Sequence, residues 1–129
     1  TRAGGGAGVG GGAGFGGGAA FSTLHHCTLI HNNAGSSNAK WAPSGGGGVH
    51  GSTLYHCVLT GNSAAGYYGH GGGVWQGALN NCTLSGNAAP SGGGAFGGTL
   101  HNCTLAGNWA YFIQGWDWYG GEGGGAFAR

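Results

Sequence analysis

Four cysteines, seven histidines and two acids carry most of the reactive chemistry in this sequence. Cys27, Cys57, Cys82 and Cys103 are 30, 25 and 21 residues apart, and no Cys-x-x-Cys pair is present to bring two thiolates onto one metal ion. These are repeat spacings, so neither a metal nor a cofactor is expected. If the segments that carry the cysteines stack as neighbours, their Cα atoms fall within disulfide range, and Cys27–Cys57 with Cys82–Cys103 is one such pairing. The other reading is four buried thiols acting as small apolar side chains. His25, His26, His56 and His101 recur near the same point of the repeat, where metal or pH sensing competes with ordinary exposed turn histidines. Asp117 and Glu122 are the only acids and share one insertion. With no activated nucleophile beside them, the sequence predicts no enzyme.

Aromatic residues form the second chemical feature. Trp109, Tyr111, Phe112, Trp116, Trp118 and Tyr119 crowd a single stretch, and Trp41, Tyr67 and Tyr68 occupy the equivalent insertion in earlier repeats. Such a stretch is too apolar for an idle loop. It either covers the fold or offers a contact surface to a glycan or a protein. Asn81-Cys82-Thr83 and Asn102-Cys103-Thr104 match glycosylation sequons, though the repeat alone explains them.

A repeated frame positions these residues. Every cysteine follows a leucine by three residues (Leu24, Leu54, Leu79, Leu100) and precedes an asparagine by five (Asn32, Asn62, Asn87, Asn108). A glycine triplet ends nine residues before each cysteine, at Gly18, Gly48, Gly73 and Gly94. All variation in repeat length falls between the asparagine segment and the next triplet, as when loops vary on one face of a stack of coils. In the fourth repeat Leu100 and Leu105 have opposite parity, so both face inward only if the chain bends near Asn102. Each repeat then has two short strands about a corner, a further corner at the asparagine, and a third side made by the glycine triplet. Gly and β-branched residues throughout disfavour helix.

The predicted fold is all-β: a parallel β-helix, or β-solenoid, of about five coils with insertions on one face. Coils begin at Gly16, Gly46, Gly71, Gly92 and Gly123, and residues 1–15 form a Gly-rich arm or cap. Stacking aligns Cys on Cys and makes an amide ladder of Asn32, Asn62, Asn87 and Asn108. Thr28, Val58, Thr83 and Thr104 form an outward column, which gives ice binding as a minor alternative.

Composition narrows the function classes. Of 129 residues, 37 are Gly and only two are Pro, which excludes collagen, while 40% apolar residues argue against disorder. A net charge of +1 gives no basic face for nucleic acid. No apolar run is long enough for a membrane-spanning helix. The chain starts at Thr1 and lacks Met, and is expected to be a processed product or a fragment.

The run Gly-Gly-Gly-Ala-Phe…Thr-Leu-His-Asn-Cys-Thr-Leu-Ala-Gly-Asn resembles the right-handed parallel β-helix repeats of bacterial surface and secreted proteins, the polymorphic outer-membrane-protein type among them. The resemblance covers Gly16 to Asn108 and resumes at Gly123. It implies right-handedness and an extracellular or cell-surface structural or adhesive role. From the unfinished final repeat the expectation is a building block of a fibre or filament, with a second copy as partner. The alternative is an adhesin module that binds carbohydrate or a host surface.

Overall fold

The structure, a computed structural model, describes residues 2–3, 16–34, 43–65, 68–111 and 123–127. Its elements are all β, and every strand pairing is parallel.

Left-handed backbone sets the outline of each repeat. In the first, Gly16, Phe21, His26 and His31 all have φ between 51° and 63°. The second has Gly46, Gly51, His56 and Gly61; the third Gly71, Gln76, Asn81 and Gly86; the fourth Gly92, Gly97, Asn102 and Gly107. These residues are corners spaced five apart, so a repeat has four sides of five residues. The expectation of three sides is corrected here. The fourth side is the short strand after the asparagine, Asn33–Ala34 in the first repeat. The asparagine is also not the corner. The residue before it bends the chain, which lets the asparagine side chain turn inward. Phe21, His26, His31 and His56 adopt an αL conformation that is rare for residues with a Cβ, so stacking must hold them there.

Residues of equal rank stack in register. On the third side the order is Arg2–Ala3, Thr28–Ile30, Val58–Thr60, Thr83–Ser85 and Thr104–Ala106, with Leu29, Leu59, Leu84 and Leu105 aligned. The fourth side stacks Asn33–Ala34, Ser63–Ala64, Ala88–Ala89 and Trp109–Ala110. The first and second sides merge into one curled sheet, because Val74–Asn80 and Ala95–His101 each run through both. Among the described residues the insertions contribute one further ladder, Pro43–Gly45 against Tyr68–His70.

Within every side, the residue after the corner and the one two further on face the interior. The second of these is apolar: Val49, Leu54, Leu59 and Ala64 in the second repeat, all fully buried. A fully buried leucine stabilises by roughly 1.5–3 kcal/mol, and the rows of Leu29, Leu59, Leu84 and of Leu54, Leu79 supply most of this core. The glycine triplets allow close backbone approach. A Cβ on Gly47 would sit 2.2 Å from the Gly72 carbonyl oxygen, and one on Gly48 2.7 Å from that of Gly73. Burial fades towards the last repeat: Leu79 is 1% exposed, whereas Leu100, one repeat on, is 38% exposed.

Candidate functional site

The distinctive polar chemistry lies inside the stack. Asn32, Asn62 and Asn87 are all but inaccessible, yet a buried amide must bond both its oxygen and its nitrogen. Asn62 and Asn87 solve this through the adjacent repeats. The Asn62 Oδ1 accepts from the Asn32 backbone N–H and from Asn32 Nδ2, both at 2.9 Å. The Asn87 Oδ1 accepts the same two bonds from Asn62 at 2.9 Å, and the Asn108 Oδ1 accepts them from Asn87 at 3.0 and 2.9 Å. The second Nδ2 hydrogen points back one repeat: Asn62 donates to the Leu29 carbonyl, Asn87 to that of Leu59, and Asn108 to that of Leu84, at 2.9–3.0 Å. The column is therefore directional. Asn62 and Asn87 each turn Oδ1 towards the earlier repeat and one Nδ2 hydrogen towards the amide of the later one.

The cysteines hold the same rank on the third side, directly after a corner. All four thiols are free. Cys57 and Cys82 are buried, while Cys27 and Cys103 at the two ends are half-buried. Cys57 Sγ donates to the Leu24 carbonyl at 3.5 Å and Cys103 Sγ to that of Leu79 at 3.6 Å, which is the backward contact the asparagines make. Burial raises the pKa of both Cys57 and Cys82 above the ordinary thiol value of 9.0, and backbone hydrogen bonding offsets only part of it. These are unreactive packing thiols. A shorter version of the amide ladder runs along the second side, where the Ser22 N–H donates to Ser52 Oγ at 3.2 Å and Ser52 Oγ donates to the His50 carbonyl at 3.0 Å. It ends where Gly77 and Gly98 take that rank. Ser22 and Ser52 were readable in the sequence as the residues five before Cys27 and Cys57.

Outside, rings stack from repeat to repeat. His26 lies on His56 with centroids 5.1 Å apart and planes at 5°, and His25 lies on Tyr55 at 4.8 Å. A longer file runs Phe21, His50, Trp75, His70 and Phe96, with successive centroids 4.3–5.6 Å apart. Trp75 covers Gly45, where a Cβ would lie 2.1 Å from the indole Cε3. No histidine joins a group of three or more His, Cys, Asp or Glu fit to hold a metal ion among the described residues. Of the residues expected to form an aromatic contact surface, Trp109, Tyr111 and the Tyr68 backbone lie among the described residues. Trp109 is 64% exposed and meets Tyr111 edge-on at 5.7 Å, while the Tyr111 hydroxyl donates to the Ala64 carbonyl. Tyr111 thus anchors the strand, and burial raises its pKa. Tyr68 contributes backbone to a described strand; Trp41, Tyr67, Trp116, Trp118 and Tyr119, with Asp117 and Glu122, lie outside the described residues.

No family model, curated protein or solved structure matches the chain. Among the described residues no helix is long and apolar enough to cross a membrane.

Proposed function

We propose that this chain is a structural β-solenoid, a right-handed parallel β-helix, that serves outside the cell as a building block of a surface fibre or filament. Copies add head to tail. The observation that carries this reading is the in-register parallel stacking of equal-rank strands, with the one-way asparagine column along it. Parallel strands stacked in register template further strands. The one-way asparagine column supports head-to-tail addition, since a reversed copy would oppose both strand direction and amide direction. The surface location draws on the resemblance of the Gly-Gly-Ala and Asn-Cys-Thr elements to bacterial surface repeats. Negative-stain electron microscopy and sedimentation of the 129-residue chain test the reading. Unbranched filaments at micromolar protein are the expected result, and monomers without filaments overturn it.

Exposed Trp109 favours a second reading, adhesion to a glycan or a host surface. Binding on a glycan array that disappears in Trp109→Ala, with assembly unchanged, would favour it over the structural role.

A further inference from the structure

The corner between the second and third sides differs from the other three. Its left-handed position holds His26, His56, Asn81 and Asn102 in successive repeats, with φ of 51–53°. The corner before the first side is glycine at Gly16, Gly46, Gly71 and Gly92, and the two remaining rows also include glycines. Glycine takes this conformation without the steric penalty that a Cβ brings. Histidine and asparagine tolerate it better than most residues, which explains how the row can be built. It does not explain why glycine is absent from every level of this row and a nitrogen- or oxygen-bearing side chain is kept at each.

Register sets these side chains one layer apart. The His26 N–H donates to the Tyr55 carbonyl and the His56 N–H to the Asn80 carbonyl, both at 3.0 Å, so the stack fixes both backbones at the corner. Both residues are exposed, and their rings lie parallel, with centroids 5.1 Å apart. Other described imidazoles face rings of a different kind: His25 faces Tyr55, His50 faces Trp75 and His70 faces Phe96. His31 lies over Gly61, which has no side chain to pair with it.

We infer that His26 and His56 form a two-imidazole site for a divalent late first-row metal ion, of the Ni²⁺, Cu²⁺ and Zn²⁺ class. Neutral imidazole is a favoured ligand of these ions. Two nitrogens bound to one ion at about 2.0–2.1 Å stand roughly 3 Å apart. Side-chain rotation brings the rings to that separation from their present spacing, with the backbone unmoved. Waters complete the coordination shell, which makes the site open and exchangeable. Asn81 follows His56 one layer on and brings an amide oxygen to the same row. The thiols take no part, because Cys27 and Cys57 turn inward to the core from the next position. The two imidazoles come from different repeats and meet only in the folded stack, so bound metal stabilises the fold.

Ni²⁺ is the probe, since the free thiols would reduce Cu²⁺ and compete for Zn²⁺. Calorimetric titration of the chain without a histidine tag, at neutral pH, should show one equivalent bound. Denaturant titration should give a higher midpoint with Ni²⁺ than with Mg²⁺, and paramagnetic broadening in NMR spectra should centre on His26 and His56. His26→Asn and His56→Asn install the residue that Asn81 and Asn102 already supply at this corner, so both variants should fold, as circular dichroism would verify. Loss of even an outer-shell partner costs about tenfold in metal affinity, so each variant should weaken Ni²⁺ binding by at least roughly tenfold and remove the midpoint shift. His101→Asn, on the neighbouring row, should leave both unchanged. Binding that survives in His26→Asn or His56→Asn, or that falls equally in His101→Asn, overturns the site, and so does an absence of Ni²⁺ binding. If a variant does not fold, broadening centred away from His26 and His56 in the unmodified chain overturns it as well.

Discussion

The asparagine and cysteine columns occupy the same rank, one residue beyond a left-handed corner, on adjacent sides of every repeat. Both reach back to a leucine carbonyl in the preceding repeat. They differ in what a missing neighbour does to them. A thiol is a weak donor that packs well as a small apolar group, so Cys57 and Cys82 accept burial with little dependence on the neighbouring repeat. An amide removed from water without partners is costly, and Asn62 meets that cost only because Asn32 and Asn87 flank it. The cysteine column fills the stack, whereas the asparagine column requires it.

The strongest way to break this contrast is Asn87→Ala. It removes the acceptor of two Asn62 donors, the Asn108 Oδ1 loses the Asn87 Nδ2 donor and keeps the backbone N–H of residue 87, and the Leu59 carbonyl loses one donor. A loss of about 4 kcal/mol is expected in denaturant titration. Asn108→Ala deletes the equivalent acceptor at a half-buried end that water reaches, and should cost about half as much. Cys82→Ala, at the same rank on the next side, removes one sulfur from a packed column and should cost about 1 kcal/mol. If Cys82→Ala matched Asn87→Ala, the distinction between the columns would be lost.

Two smaller effects probe the thiols alone. The folded-state pKa of Cys57 and of Cys82 is raised above 9.0, so the fold favours the neutral thiol. That contribution is complete below pH 9.0 and is lost as pH rises through the raised folded values. Chemical denaturation at pH 8 and pH 10.5 should show lower stability at the higher pH, with less decline in a Cys57→Ala, Cys82→Ala chain. Alkylation of the native protein near pH 8 should mark Cys27 and Cys103 before Cys57 and Cys82. Equal rates at all four would show that the column opens as readily in its centre as at its ends.

The columns themselves were legible in the sequence because an inward position tolerates few side chains. Leu24, Cys27 and Asn32 recur with their spacing intact for that reason. Parity located the corner at Asn102, but the five-residue period of the corners was not legible. A corner asks only for a left-handed backbone, and Phe21, His26, Gln76 and Gly86 all meet it when the stack holds them, so no residue type marks the period. The insertion ladder was also hidden, since Pro43–Gly45 and Tyr68–His70 align through backbone bonds and share no side-chain pattern. The ring file of Phe21, His50, Trp75, His70 and Phe96 escaped for a related reason. Its members come from a corner, from the first side and from an insertion strand, and only the folded register brings them together.

The uniform sense of the amides has an electrical consequence. Backbone bonds between neighbouring repeats run in both directions, as with Gly16 N–H to the Gly45 carbonyl and Val58 N–H to the Cys27 carbonyl, so their dipoles largely cancel. The asparagine dipoles do not. Each points its oxygen towards Asn32 and its nitrogen towards Asn108, and they sum along the axis as peptide dipoles do in a helix. In a protein with almost no formal charge, this places a positive pole at the Asn108 end and a negative pole at the Asn32 end. Each copy added in the same sense lengthens that dipole, and a copy added in reverse would oppose it.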